Sequence, residues 1–480
     1  MSGISLENML LLPSRNLDIS RLVFGGEVPA ISPYYGLIMY GPYELPPKPP
    51  RSIILLYPNN NEFKDVATKI IGALKDGYKG YFPGGFTNIF QLDIDLERID
   101  VDFTKYDMLN PKATTEAFYN RFLEVCKDVN SCFPVIMMNR VPRGLYESLY
   151  TGVKYRFTIE GIPSQVVTYE VFSDENRFKW STFPLALQIF VKMGGTPFLL
   201  YDRLNIPEDE VAIIIGVGLS RVRLQDKESR YIGFALAFEA NGRWRLIKWN
   251  QQPYRKEMLP QMLRTLIHNV VYDVLDKYVV KKPRKIHVIV HYSGKNVSVA
   301  EENALRDACQ RIGQVLNIDV IPYLVKIQES MYRLYNEDSP CIDSDGQPTY
   351  LVRVGTVISL KEDLYLLQTT GCVLVQTSKG QIIFRPNAQG APSPIIVSIK
   401  RLQEVRYELN DIELVKSVLY MARMNYASIN NPVSRLPISV KYSKLLAYMT
   451  AKLAYKLNQV GGDNINSLIP DRLKQVLWFI

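Results

Sequence analysis

Tyr150 and Lys154 stand four residues apart in RGLYESLYTGVKYRF, a spacing that turns both side chains the same way on a helix. An aromatic ring beside an ammonium suits a terminal nucleotide, whose base stacks on the ring while its phosphate meets the charge. Gln165 heads SQVVTYE, and Gln188 and Lys192 are again four apart in TFPLALQIFVKMGG, which stops at Gly194-Gly195. Taken singly, Tyr150, Lys154 and Lys192 each read as ordinary amphipathic-helix surface. A second chemistry is raised by AIIIGVGLSR, a strand of Ile and Val expected to break at Gly216-Val217-Gly218. In several nuclease folds such a strand tip carries a metal-binding carboxylate, because paired divalent ions ~4 Å apart need several anionic oxygens to hold them. Here the tip is glycine.

Other reactive residue types point less clearly to a site. Asp93, Asp95, Asp100 and Asp102 alternate with apolar residues in QLDIDLERIDVDF, a period-2 pattern that marks one solvated strand face sooner than a metal cluster. Gly216-x-Gly218 overlaps a dinucleotide fingerprint with Glu239 as the ribose acid, but Arg221 takes the place of the third glycine and the strand YIGFALAF follows where a helix should begin. The five cysteines (Cys126, Cys132, Cys309, Cys341, Cys372) contain no C-x-x-C pair, so neither a zinc site nor a disulfide framework is expected. Of the three histidines (His268, His287, His291), two lie in the strand KIHVIVHY and read as satisfied structural residues.

The elements that position these groups fall into two series. Residues 1–50 are rich in Pro and Gly and read as an irregular extension packing on the front lobe. From RSIILLYP onward strands and helices alternate, with Phe63, Val66, Ile70, Ile71 and Leu74 on one helical face, which predicts a parallel, Rossmann-like α/β domain over 51–205. After YDRLNIPEDE, three consecutive strands precede the helix KEMLPQMLRTLIHNVVYDVLDKY, with Met258, Met262, Leu266, Val270 and Val274 turned inward. Strand KIHVIVHYSG, helix VAEENALRDACQRIGQV and strand DVIPYLVKI follow. This is the ribonuclease-H-like order, and it predicts a second domain over 206–480.

Composition bounds the partners. Fifty-seven Lys+Arg against 48 Asp+Glu leave +9, a moderate excess compatible with a polyanion. The N-terminus lacks the basic region of a signal peptide, and no run of ~18 apolar residues is present, so a cytoplasmic protein without membrane insertion is expected.

The order Tyr150-x3-Lys154, Gln165, then Lys192 in KMGGTP closely resembles the MID domain of Argonaute proteins. The resemblance extends from PYYGLIMYGPYE through GVGLS, HYSGK, GQPTYLVRVGT and APSPIIVSI to NPVSRLPISVKYSKLLAYM. It implies that Tyr150, Lys154, Gln165 and Lys192 hold the 5′ phosphate of a guide strand. It also implies that the carboxylate of Ile480 reaches the same phosphate, with Gln165 and Ile480 as ligands of one Mg²⁺ or Mn²⁺. Burial of Trp478 and Phe479 would fix that terminus. A MID lobe followed by a PIWI lobe, with no N or PAZ domain, matches the short prokaryotic class. Slicing members carry carboxylates at positions that align with Gly218, Ser293 and Lys444, so this chain is expected not to cut; Glu257 is a weak candidate for a remnant of the glutamate finger. The implied function is guide-directed recognition, with an RNA guide, a DNA target and a separate APAZ-containing effector in defence against plasmids and viruses. SRVRLQDKESR, KKPRK and residues 435–444 are candidate backbone contacts. The rival readings are a nuclease using displaced carboxylates such as Asp226, Glu239 or Asp307, and a small-molecule α/β enzyme.

Overall fold

The computed structural model describes residues 12–102, 110–139, 143–223, 229–249, 254–279, 281–294, 297–343, 345–376, 380–387, 390–403, 409–429, 433–459 and 469–480. Strand β1 (Arg15–Asn16) and helix α1 (Pro33–Tyr40) precede an alternating series: β2 (Ser52–Pro58), α2 (Asn61–Asp76), β3 (Asp95–Val101), α3 (Pro111–Val125), β4 (Cys132–Met138), α4 (Arg143–Ile159), β5 (Gln165–Thr168) and α5 (Glu175–Lys192). The four strands from β2 to β5 pair in parallel in the order β3-β2-β4-β5. After Ser52, SIILLYP is an unbroken apolar run, because both faces of β2 are covered. Ile53, Leu55 and Tyr57 face the cluster holding the α2 stripe, and Ile54 and Leu56 face Phe118, Phe122 and Phe157 of α3 and α4. Asn60 caps α2 by accepting from the Glu62 N–H at 2.8 Å. Asp93, Asp95 and Asp100 are exposed, but Asp95 and Asp100 have opposite parity on β3 and point to opposite faces, so their exposure reflects the edge position of this strand rather than one solvated face; no acidic or His/Cys cluster fit to hold a metal occurs among the described residues.

The rear half contains β6 (Glu210–Arg223), β7 (Ser229–Glu239), β8 (Trp244–Trp249), α6 (Leu259–Tyr278), β9 (Lys285–Tyr292), α7 (Val299–Leu316), β10 (Asp319–Glu329), β11 (Thr356–Lys361), β12 (Leu364–Leu367), β13 (Ile395–Arg401), α8 (Asp411–Arg423) and α9 (Ile438–Gln459). They build a nine-stranded sheet in the order β1-β11-β12-β13-β10-β9-β6-β7-β8. β6, β7 and β8 form an antiparallel meander, while β9 and β10 run parallel to β6, which is the ribonuclease-H-like arrangement. Ile213, Ile215 and Val217 pack with α6 and α7 on one face, and Ala212 and Ile214 belong to the cluster containing α9 on the other. A capping box between Ser298 and Glu301 starts α7.

Other expectations change as well. The N-terminal segment does not pack on the front lobe alone: β1 pairs with β11 at the edge of the rear sheet, and the buried Arg423 guanidinium donates to the carbonyls of Ser20 (3.2 Å) and Ile31. Two disulfides are present, Cys126–Cys132 and Cys341–Cys372, leaving Cys309 as a buried thiol. The first joins the end of α3 to the start of β4, and the second is set by backbone pairing of Thr349 with Cys341 and of Cys372 with Val352. β6 does not break at its glycines but continues to Arg223. Met258 is exposed, because it lies in the short 3₁₀ turn before α6 rather than on its inner face. No helix among the described residues is long and apolar enough to cross a membrane.

Candidate nucleic-acid interface

Helix α4, the start of β5 and the last turn of α5 converge on one point. Lys154 and Lys192 are 3% and 1% exposed, and both ammonium groups reach the Ser164 carbonyl, at 2.6 and 3.5 Å. Lys192 also donates to the Gln165 side-chain oxygen, and the Gln165 amide donates to the Val166 carbonyl at 2.9 Å. No carboxylate pairs with either lysine among the described residues. Burial therefore pulls Lys154 down to about 7, and Lys192 well below the usual lysine range, with repulsion from Lys154 adding to the burial. Two desolvated, uncompensated ammonium groups side by side are costly until an anion joins them.

The other predicted members sit around this pair. Tyr150 lies one turn earlier on α4, stacked on Tyr146 with ring centroids 6.3 Å apart; burial, then Tyr146 and Tyr448, push its hydroxyl up to about 12. Gln188 is not at the pair and donates instead to the Ala427 carbonyl of the rear half at 3.3 Å. Trp478 and Phe479 are buried, the latter edge-on to Tyr442, so the chain end is fixed. Ile480 is half-buried and its N–H donates to the Leu477 carbonyl at 3.3 Å; no ion pair joins its carboxylate to Lys154 or Lys192 among the described residues.

Gly218, Ser293 and Lys444, far apart in sequence, line one cavity of about 370 Å³. Gly216 and Gly218 sit on the face of β6 that α9 covers. A Cβ at 216 would lie 1.9 Å from the Ser439 carbonyl oxygen, and one at 218 would lie 2.5 Å from that of Ser443. The glycines are required by helix-on-strand contact. His291 fixes this approach from β9, its Nδ1 2.7 Å from the Ser439 hydroxyl and its Nε2 3.0 Å from that of Ser417 on α8. Burial holds His291 down to about 3, so it is neutral. His287 is likewise structural, 2.7 Å from Glu210 and 3.2 Å from the Tyr323 hydroxyl.

Among the described residues, the displaced carboxylates Glu239 and Asp307 do not line the cavity. Glu239 pairs with Arg245 and lies opposite Ile213, whereas Gly218 lies opposite Phe234, so Glu239 is five residues along the sheet from the cavity. Asp307 is on α7, across the sheet from α9, and Asp226 lies outside the described residues. Glu257 is exposed in the 3₁₀ turn before α6. Sequence reading missed Tyr448, which lines the cavity and influences Tyr150; its signal was the four-residue spacing from Lys444. It also missed the Ser164 carbonyl, which no side-chain pattern marks. Helix α9 thus joins both places, and its Lys452 reaches Glu147 of α4 at 3.3 Å.

A family model described as the Piwi domain matches residues 136–454. A protein named Piwi protein from Archaeoglobus fulgidus is 24% identical over 461 residues, covering 93% of each chain. The matched span contains the lysine pair and all three cavity positions. The chain belongs to the Piwi domain family, and is an Argonaute-like protein of guide-dependent nucleic-acid binding.

Proposed function

We propose that this chain is a short Argonaute, a MID lobe followed by a PIWI lobe, that holds the 5′-phosphorylated end of a small guide and pairs it with a complementary target without cutting it. The carrying observation is the pair of buried lysines, Lys154 and Lys192, with no carboxylate partner among the described residues. A terminal phosphate brings up to two negative charges and three acceptor oxygens, enough to satisfy both ammonium groups. Tyr150 offers a ring for the first base, and Gln165 an amide for the phosphate.

A Mg²⁺ or Mn²⁺ at this phosphate would be held by the Gln165 amide oxygen and the Ile480 carboxylate. That oxygen already accepts from Lys192, and the two lysines supply the charge a divalent ion would bring, so the residues fit a phosphate held by lysine rather than by a resident ion. Non-cleavage is supported by the cavity at Gly218, Ser293 and Lys444, which no carboxylate among the described residues lines and where a side chain at 218 would strike the α9 backbone. An RNA guide, a DNA target, and an APAZ-containing effector acting against plasmids and viruses follow from the resemblance to short Argonautes.

Two measurements test the reading. Lys154→Ala with Lys192→Ala should abolish the preference for 5′-phosphorylated over 5′-hydroxyl guides, a loss on the order of 100-fold for two charge-assisted contacts; unchanged retention would remove the guide-end assignment. Purified protein incubated with guide, target and Mn²⁺ should leave the target intact, and specific product fragments absent from a guide-free control would restore the nuclease alternative.

A further inference from the structure

A cavity of about 720 Å³ lies away from both places described above, at the β1–β11 rim of the nine-stranded sheet. Its walls come from the segment after β1, the linker between the two halves, the turn before β11 and helix α8. We propose that it binds a small organic phosphate of nucleotide size, a role separate from guide binding and independent of the reading above. Four cations line it, Arg21, Arg203, Arg353 and Lys416, against two carboxylates, Asp18 and Asp202. Both carboxylates are engaged, Asp202 with Arg21 at 2.8 Å and Asp18 with Arg353 at 2.6 Å. Arg203 is exposed and has neither an ion pair nor a side-chain hydrogen bond among the described residues. Two of the guanidinium groups are steadied by rings, Arg21 at 4.4 Å from the centre of Tyr201 and Arg353 at 5.5 Å from that of Phe384. A planar fork held in this way is ready for the oxygens of a phosphate.

Tyr420 is the independent sign of a ligand. It is 4% exposed, it lines the cavity, and its hydroxyl makes no hydrogen bond among the described residues. Burial, then the charges of Asp202, Glu413 and Asp18, push that hydroxyl up to about 12, so it remains a donor at neutral pH. A buried phenol without an acceptor is destabilising until a ligand oxygen meets it. Lys416, Tyr420 and Arg423 follow one another at four and three residues on α8 and share a face. The Arg423 guanidinium lies behind the wall, donating to the carbonyls of Ser20 and Ile31, both of which line the cavity. The rest of the lining includes Leu17, Val354 and Leu374, which give an apolar wall for the body of the ligand. Small-molecule sites are of ~300–1,000 Å³, largely apolar with a few placed polar groups, and a free phosphate would leave most of this one empty. The Asp18 side chain is 90% exposed and keeps acceptor capacity for the hydroxyls of a sugar.

The test titrates nucleic-acid-free full chain with ADP, GDP, CDP, UDP, adenosine and inorganic pyrophosphate by calorimetry. Wild type is run beside a chain carrying Lys154→Met and Lys192→Met, in which the front lysine pair cannot account for the binding. In both, at least one nucleoside diphosphate should bind at one site, tighter than pyrophosphate by on the order of tenfold, while adenosine should not bind. Arg203→Glu should weaken that diphosphate by about tenfold and leave the melting temperature unchanged, since the side chain holds nothing in the free protein. Tyr420→Phe should weaken it by about fivefold and melt no lower than its parent. Four results would overturn the site: no diphosphate bound, pyrophosphate bound as tightly as every diphosphate, affinity unchanged by either substitution, or a Tyr420→Phe protein that melts well below its parent.

Discussion

Replacing Lys154 and Lys192 together by Met is expected to raise the melting temperature of the guide-free protein while removing its grip on a 5′ phosphate. Both ammonium groups are buried with no counter-charge among the described residues, so each binds its proton less tightly folded than unfolded. For Lys154 the folded value falls to about 7 from 10.5. Between those limits the native state holds fewer protons than the unfolded chain, so stability rises with pH across the window. The deficit is complete below about pH 7. For Lys154 alone it is on the order of 4 to 5 kcal/mol at its fullest. Met has similar length and no charge, so it removes the deficit and keeps the packing. A rise of about 5 °C is expected near neutral pH, shrinking towards zero by about pH 10. In wild type, phosphate binding must restore the protons, so affinity for a 5′-phosphorylated guide should fall as pH rises above about 7. Scanning calorimetry of both proteins at pH 7 and pH 9.5 checks this. A variant that melts lower than wild type at pH 7 would show that the lysines stabilise the empty site.

The second large effect is at the glycines of β6. Gly216→Ala should destabilise the protein by about 3 kcal/mol or more, because the new carbon would sit 1.9 Å from the Ser439 carbonyl oxygen and the atom in the way is backbone. Gly218→Asp meets the same helix at Ser443, 2.5 Å from the first side-chain carbon. Rebuilding carboxylates at 218, 293 and 444 is therefore expected to yield a less stable protein that still does not cut. Urea midpoints and a Mn²⁺ cleavage assay on the single and triple variants test both halves. A triple variant as stable as wild type, or one that cleaves target, would mean that α9 can withdraw from β6.

Much of this architecture could be read from apolar rhythm. Period-3.6 stripes placed α2 and α6, and short β-rich runs such as SIILLYP and KIHVIVHY marked strands, which the fold buries on both faces. What escaped was set by distant contacts. Gly216 and Gly218 look like a strand end in one dimension, but they are the places where α9 lies against a strand that continues. Cys341 and Cys372 are 31 residues apart with no spacing signature, and only the pairing of their flanking segments joins them. At the proposed phosphate site, spacing alone left Tyr150, Lys154 and Lys192 as helix surface, and the resemblance was what grouped them with Gln165. Their decisive property, full burial of two ammonium groups against one carbonyl, depends on the depth of α4 and α5 in the fold, which spacing does not encode.

The two-residue strand β1 closes one rim of the nine-stranded sheet, and the chain that follows it clothes the Arg423 guanidinium with carbonyls. A shortened version beginning at the front parallel sheet would lay bare the backbone donors and acceptors of β11 and leave a cation in a hollow with fewer oxygens to meet it. Exposed sheet rims recruit other chains. Trimming the chain up to residue 50 in search of a smaller crystallisation target would thus invite association through that bared rim.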